Sequence, residues 1–302
     1  MTIPPAIVDT ATLARLQGLE LKARTIVEGY VAGLHRSPYH GFSNEFAEHR
    51  EYVPGDDLRY VDWKVYGKSD RVYLKQFDEE TNYVCQLLVD ASESMTYRSP
   101  AAHFSKWDYA ACVAASLACL ITRQQDAVGA VTFSSGVQQM LRPSSTPQQF
   151  GQICHVLEQT EPGPKTSLGP VLHELANRLK RRGLVVLLSD LFDDPEAIVG
   201  GLKHFRHCRQ DVIVLQIIDP AEEDFPFQDP TLFKGLEGWE DQFSDPRALR
   251  AAYQREFQAF LQRIESSVRD LQFDYLRLRT DQPVGPALSV YLNNRRRRAG
   301  RR

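Results

Sequence analysis

Short, continuous apolar runs alternate with helical patterns from residue 84 to the end of the chain. Five short segments predict strands; they span 84–89, 127–133, 184–188, 212–218 and 273–278, and those at 184–188 and 212–218 are continuous apolar runs. Helical patterns lie between or after them, at 105–123, 147–159, 195–205, 245–271 and 286–292. A turn at Ser135 and Gly136 predicts a sixth, short strand over 137–141. This alternation predicts an α/β fold, with a mostly parallel six-stranded sheet covered by helices on both faces.

The remaining segments predict three further parts. Residues 9–35 have a helical spacing of apolar residues, and the stretch from there to residue 81 is rich in glycine, aromatic and charged residues. This stretch predicts a small β-containing module with short strands near 51–53 and 72–76. We therefore divide the chain into an N-terminal segment at 1–81, a main domain at 82–294 and a disordered basic tail at 295–302. The main domain contains a small β excursion at 220–243.

The composition is that of a soluble globular protein, with 42% hydrophobic and 25% charged residues among 302. A net charge of −3 gives no general attraction to nucleic acid or membranes. We interpret the arginine tail as a solvated end rather than as a site for an acidic partner or nucleic acid. No apolar run approaches the ~20 residues of a membrane helix, and the first residues lack a signal-peptide pattern. Five cysteines without a C-x-x-C spacing predict reduced, buried thiols in a cytoplasmic protein.

The first strand runs directly into Asp90-Ala91-Ser92-Glu93-Ser94, the strongest functional signal in the chain. Ligands of open α/β sheets bind beyond the carboxyl ends of the strands, so this loop lies where a site is expected. One carboxylate and two hydroxyls at alternate positions are the oxygen ligands that hard divalent cations prefer. The alternative is an ordinary polar loop that caps a helix.

Two later loops add oxygen groups at the same edge of the predicted sheet. Thr166 lies in a Gly- and Pro-rich stretch just before a predicted helix. Asp190 comes directly after the strand at 184–188, as Asp90 does after the first strand. The sequence therefore predicts a metal site with two carboxylates and three hydroxyls from three loops.

These five residues resemble the metal-ion-dependent adhesion site of von Willebrand factor A domains, which have a Rossmann-like fold. The resemblance implies that Ser92, Ser94 and Thr166 bind the ion through their hydroxyls. Asp90 and Asp190 would bind it largely through water. It also implies Mg²⁺ as the usual ion, with Mn²⁺ or Ca²⁺ as alternatives, and an open coordination position for a carboxylate of a partner protein.

A second resemblance covers nearly the whole chain, from about residue 33 to 295. The stretch ahead of the A-type domain is similar to the bacterial "domain of unknown function 58" family; the matching residues are Arg50, Tyr52, Gly55, Asp56, Asp57, Arg59, Asp62 and Trp63. Their Arg and Asp side chains also favour a structural role, as ion pairs that fix the segment. Members are commonly encoded beside MoxR-type AAA+ ATPases. The resemblance implies a protein-binding adaptor that works with such an ATPase, or its client, in protein assembly or maturation.

An enzyme is the main alternative. A phosphoesterase of the haloacid dehalogenase type needs a second Asp two residues after the first, where this chain has Ser92. Serine-hydrolase and nucleotide-binding glycine motifs are absent from the sequence. His103 and His173 are near the predicted site edge, but we interpret both as surface residues. The sequence therefore favours a non-enzymatic adaptor, with a metal-dependent phosphoesterase or a metal-free scaffold as alternatives.

Overall fold

The computed structural model describes residues 9–35, 49–51, 73–75, 84–163, 167–235 and 241–299. The chain forms two compact units, one comprising Met1–Gly33 with Tyr83–Arg302 and the other Leu34–Asn82. In the smaller unit, strand β1 (His49–Glu51) pairs antiparallel with strand β2 (Tyr73–Lys75). Both strands lie close to the positions predicted for them.

A six-stranded sheet organises the larger unit. Its strands are β3 (Val84–Asp90), β4 (Ala127–Phe133), β5 (Val137–Ser144), β6 (Leu184–Ser189), β7 (Asp211–Ile218) and β10 (Asp274–Arg279). Their order across the sheet is β10-β7-β6-β3-β4-β5. All neighbours are parallel except the edge strand β5, which runs antiparallel to β4. The predicted α/β fold with a mostly parallel six-stranded sheet is confirmed.

Nine helices lie within the described residues, together with a 3₁₀ turn at Glu93–Thr96. They are α1 (Thr10–Arg15), α2 (Leu19–His35), α3 (Lys106–Arg123), α4 (Gln149–Gln159), α5 (Leu168–Arg178), α6 (Pro195–His207), α7 (Pro220–Asp224), α8 (Pro246–Asp270) and α9 (Gly285–Ala299).

Helices cover both faces of the sheet, as predicted. Successive strand side chains point to opposite faces, so Leu87 packs in a core with α3, α4 and α9, while Leu88 packs in a second core with α5, α6 and α8. This two-sided burial explains why the central strands are continuous apolar runs in the sequence. The carboxyl ends of β3 and β6 are thereby fixed side by side at one edge.

The N-terminal helix differs from the prediction of one helical stretch over 9–35. Helix α1 ends at Arg15, and α2 begins at Leu19. Gly18 lies between them with a φ of +80°, a backbone conformation that glycine adopts without steric cost. After this break, Leu19 and Val27 of α2 reach the first core.

Two further predictions outside the sheet concern residues 220–243 and 295–302. The excursion at 220–243 contains the predicted β structure, since β8 (Thr231–Phe233) pairs antiparallel with β9 (Gln242–Ser244), but it opens with the short helix α7. Helix α9 continues to Ala299, five residues into the segment predicted as a disordered tail. Arginine is a good helix former.

None of the helices in the described part of the chain has the length and apolar character needed to cross a membrane. The five cysteines are free thiols, as predicted; four are buried and Cys208 is half-buried.

Candidate functional site

Two carboxylates meet at the carboxyl edge of the sheet. Asp90 is the last residue of β3, and Asp190 follows β6, its parallel neighbour, in which Leu188 is level with Val89. Both aspartates are 1% exposed. Because burying charged carboxylates is unfavourable without compensation, this pair marks the edge as a site.

Backbone hydrogen bonds fix the loop that follows β3. The N–H of Ala91 donates to the carbonyl of Phe133 in β4 at 2.7 Å, and the Ala91 carbonyl accepts from the N–H of Gly163 at 2.7 Å. The N–H of Ser92 donates to Asp90 Oδ1 at 2.9 Å. The hydroxyl oxygens of Ser92 and Ser94 are 3.0 Å apart. The Asp-x-Ser-x-Ser loop therefore presents its three oxygen groups together.

The loop after β6 is equally constrained. The Ser189 hydroxyl donates to Asp90 Oδ2 at 2.6 Å and accepts from the N–H of Leu191 at 2.9 Å. Leu191 is buried and has a φ of +59°. A left-handed conformation is uncommon for a residue other than glycine and costs on the order of 1–3 kcal/mol. Such strain is typical of functional sites, and here it sets the turn that carries Asp190.

A buried lysine completes the charged cluster. Lys106, the first residue of α3, donates from Nζ to Asp190 Oδ2 at 2.7 Å and to Glu222 Oε1 at 2.6 Å. Its Nζ also lies 4.6 Å from the centre of the Phe192 ring, a favourable cation–π distance. The lysine side chain is 1% exposed. Neither Lys106 nor Glu222 was predicted as a site residue, because their meeting depends on tertiary packing across 116 residues of sequence.

The carboxylate of Glu222 is held by the start of α7. Asp219 caps this helix: its side chain accepts from the N–H of Ala221, while Glu222 Oε2 accepts from the N–H of Asp219 at 2.8 Å. This is the reciprocal capping-box arrangement. Asp219 Oδ2 also accepts from the N–H of Ser99 at 2.9 Å. The Asp at the helix start and the Glu three residues later are the sequence signal that locates Glu222.

The cluster contains more negative than positive charge. When all groups are ionised, three carboxylates and one ammonium leave a net charge of −2 in a buried volume. Burial and the neighbouring Asp190 charge raise the pKa of Asp90 to about 7. Burial lowers the pKa of Lys106, but the attraction of Asp190 and Glu222 outweighs it, so the pKa of Lys106 is raised overall. A divalent cation carries the charge that would balance this site.

The donor set fits such a cation. Two oxygens bound at right angles to one Mg²⁺ at 2.0–2.1 Å are about 2.9 Å apart, close to the 3.0 Å between the Ser92 and Ser94 hydroxyls. Asp190 is less available, because Oδ2 accepts from Lys106 and Oδ1 accepts from the N–H of Phe192. Asp190 therefore suits a role through water rather than direct ligation. Within the described residues, no cluster of three or more His, Cys, Asp or Glu side chains forms a metal site of the usual kind, and this set relies on hydroxyls instead.

The structure brings together four of the five predicted metal ligands: Asp90, Ser92, Ser94 and Asp190. Thr166 lies outside the described residues, as do seven of the predicted family-motif residues: Tyr52, Gly55, Asp56, Asp57, Arg59, Asp62 and Trp63. Arg50 lies in β1, opposite Leu74. His103 and His173 are exposed, as expected, and His173 contacts His204.

Sequence comparison finds relatives in two mycobacterial species. The chain is 26% identical over 296 residues to the uncharacterized protein Rv1480 of Mycobacterium tuberculosis, covering 96% of this chain and 92% of that protein. It has the same identity and coverage with the uncharacterized protein Mb1516 of Mycobacterium bovis.

Among solved structures, an aerotolerance-related membrane protein from Bacteroides fragilis is similar with a TM-score of 0.45 and 16% identity, over 70% of this chain and 99% of that one. The SpRpn10 VWA domain is similar with a TM-score of 0.39 and 10% identity, over 68% of this chain and 93% of that one. The fold of this chain is α/β, with a mostly parallel six-stranded sheet. A family model described as "Protein of unknown function DUF58" matches residues 48–262, more than half of the chain, which therefore belongs to the DUF58 family.

Proposed function

We propose that this chain is a non-enzymatic, metal-dependent protein-binding adaptor. The observation that carries the proposal is the convergence of Asp90, Ser92, Ser94 and Asp190 at one edge of the sheet, on loops fixed by backbone hydrogen bonds. The proposed ion is Mg²⁺, with Mn²⁺ or Ca²⁺ as alternatives, and Thr166 is proposed as a further hydroxyl ligand.

The residues of the site would bind a cation and leave one of its coordination positions open to a partner. Neutral hydroxyls of Ser92 and Ser94 supply oxygen without supplying charge, while Lys106 offsets one of the nearby carboxylates. A bound Mg²⁺ would balance the charge of the cluster as a whole, but its direct ligands would be mostly neutral hydroxyls, so an open coordination position on the ion would still favour a carboxylate. Ser94 is only half-buried, whereas Asp90 and Ser92 are buried. The hydroxyl of Ser94 thus marks the side from which an acidic side chain of a partner would approach.

The partner is proposed from the family resemblance. A MoxR-type AAA+ ATPase, or the client protein on which it acts, would supply the carboxylate, and the complex would serve protein assembly or maturation in the cytoplasm. The residues from Arg50 to Trp63 are proposed as a structural motif of the N-terminal segment rather than as the metal site.

Binding is preferred to catalysis, although the pKa of Asp90 is raised to about 7, because Asp90 is buried and its two oxygens already accept from the N–H of Ser92 and the hydroxyl of Ser189. Position 92 is a serine rather than the second aspartate of a haloacid dehalogenase-type phosphoesterase. Lys106 is held between two carboxylates, and its raised pKa keeps it protonated, so it is unsuited to act as a base.

A metal-free scaffold is the second candidate, and the ion pair between Lys106 and Asp190 is the observation that favours it. An ammonium 2.7 Å from Asp190 supplies positive charge where a cation would otherwise do so. In this case the carboxylate edge would be a fixed structural element, and partner binding would be independent of metal.

Partner binding in Mg²⁺ and in chelator separates the two candidates. The full chain is immobilised and a MoxR-type AAA+ ATPase from the same organism is passed over it. The proposal predicts capture in Mg²⁺ that is lost in chelator and in Asp90→Ala. Glu93→Gln is the matched control, because it removes an exposed carboxylate from the same loop; it should bind normally. Equal capture in chelator would favour the scaffold, and turnover of a phosphoester in Mg²⁺ would favour an enzyme.

A further inference from the structure

Two histidines meet on the surface of the second helical layer. His173 of α5 and His204 of α6 place their Nδ1 atoms 2.9 Å apart, with ring centres separated by 5.1 Å. The side chain of His173 is exposed and that of His204 is half-buried. The pair is therefore open to an ion from solvent.

Close helix packing is what brings these rings together. A Cβ added to Gly201 of α6 would lie 2.6 Å from the Cβ of Leu172 in α5, so only a glycine allows the two helices this approach. Leu172 and Leu202 are both buried in the core beneath the helices. His173 directly follows Leu172 in α5, and His204 lies one helical turn after Gly201 in α6. The two imidazoles are thus held near each other before any ligand arrives, which reduces the entropy lost on binding.

We propose that His173 and His204 form a bidentate site for a divalent transition-metal ion of the Cu²⁺ and Ni²⁺ type. Imidazole nitrogens are preferred ligands of these ions and bind at about 2.0–2.1 Å. Two such nitrogens 2.9 Å apart subtend about 90° at the ion, the angle of square-planar or octahedral coordination. With ring centres 5.1 Å apart the two Nδ1 atoms face each other, so each imidazole must turn to direct its lone pair at a shared ion. A tetrahedral Zn²⁺ would need the nitrogens to separate further. Water completes the coordination, since no third His, Cys, Asp or Glu joins the pair among the described residues.

The site would cross-link two helices that begin at the carboxyl edge of the sheet. The N–H of Leu168, at the start of α5, donates to Asp193 Oδ2 at 2.6 Å, and α6 begins directly after Asp194. An ion held by the two histidines would therefore stiffen the pair of helices that follows the Asp190 loop. The proposal is independent of the proposed Mg²⁺ site, which uses oxygen ligands.

Titration of Cu²⁺ and Ni²⁺ into the untagged, chelator-treated full chain tests the site by calorimetry. One ion should bind per chain, more tightly for Cu²⁺ than for Ni²⁺. His173→Ala and His204→Ala should each weaken binding by about tenfold or more, since loss of even an outer-shell partner of a metal costs 10–100-fold. His207→Ala is the matched control, because it removes another exposed histidine of α6; its affinity should be unchanged.

Electron paramagnetic resonance of the Cu²⁺-loaded protein gives a second readout. Coupling to two imidazole nitrogens is expected for the natural chain, and coupling to fewer in either alanine variant. Absence of saturable binding would overturn the proposal. The proposal would also be overturned if both alanine variants bound the ion as tightly as the natural chain does, or if His207→Ala lost as much affinity as they do. In that case the 2.9 Å contact is only a hydrogen bond between the two rings.

Discussion

Replacing Lys106 with methionine tests the charge balance of the candidate site. Methionine keeps a long, flexible side chain in the same space, so the main change is loss of the ammonium. Asp190 and Glu222 would then be buried without the counter-ion they share; in the natural chain their side chains are 2% and 14% exposed. Removing one partner of a buried ion pair costs about 3–5 kcal/mol. For a domain of this size the midpoint of thermal unfolding should fall by roughly 6–20 °C.

The loss should also depend on pH, with a sign that a packing defect would not produce. Burial already raises the pKa of Glu222, and removal of the Lys106 charge raises it further. A carboxyl group whose pKa is higher in the folded than in the unfolded state stabilises the fold at low pH, and this stabilisation is lost as pH rises through the folded pKa. Lys106→Met should therefore be more destabilised at about pH 8 than at about pH 5.

Thermal unfolding followed by circular dichroism, in chelator at both pH values, measures this effect. Lys203→Met is the matched control, because Lys203 is exposed on α6, and surface substitutions usually change stability by less than about 0.5 kcal/mol. If Lys106→Met were no less stable than Lys203→Met, the charge balance described for the site would be refuted. A loss of equal size at both pH values would point to packing rather than charge.

Three further outcomes are expected. Asp219→Ala should lower the free energy of unfolding in urea by about 2–4 kcal/mol, because α7 loses its cap and the buried N–H of Ser99 loses its acceptor; a loss below about 0.5 kcal/mol would contradict this. In metal-free protein, the pKa of Asp90 is raised from 3.8 to about 7, so stability should fall as pH rises across this interval, and Asp90→Asn should flatten that slope. Gly201→Ala should destabilise by about 1–3 kcal/mol, because its Cβ would lie 2.6 Å from Leu172; an unchanged melting temperature would argue against the close helix contact.

The sheet was predictable because its strands are buried on both faces. Residues such as Leu87 and Leu88 point in opposite directions and are both covered, so alternation disappears and continuous apolar runs remain. The same runs place Asp90 and Asp190 at strand ends, where parallel pairing brings them to one edge. Local sequence and one rule of sheet topology were therefore sufficient for these two residues.

The lysine at the centre of the cluster could not be predicted in the same way. Lys106 opens a helix whose pattern is otherwise apolar, and its charge is satisfied by Asp190 and Glu222, which are 84 and 116 residues distant. No local pattern records such a contact. The break at Gly18 was missed for another reason: the apolar spacing continues on both sides, and a single glycine with a left-handed φ lies between the two helices.

Calorimetric titration of Mg²⁺ into the chelator-treated full chain tests the central claim most directly. The natural chain and Glu93→Gln should bind one ion per chain, and Asp90→Ala should not bind, because it lacks the buried carboxylate that holds the Ser92 backbone and the Ser189 hydroxyl. Saturable binding that disappears in Asp90→Ala alone would establish the site. Absence of binding by the natural chain at roughly millimolar Mg²⁺, or equal binding by Asp90→Ala, would contradict the proposed metal-dependent adaptor.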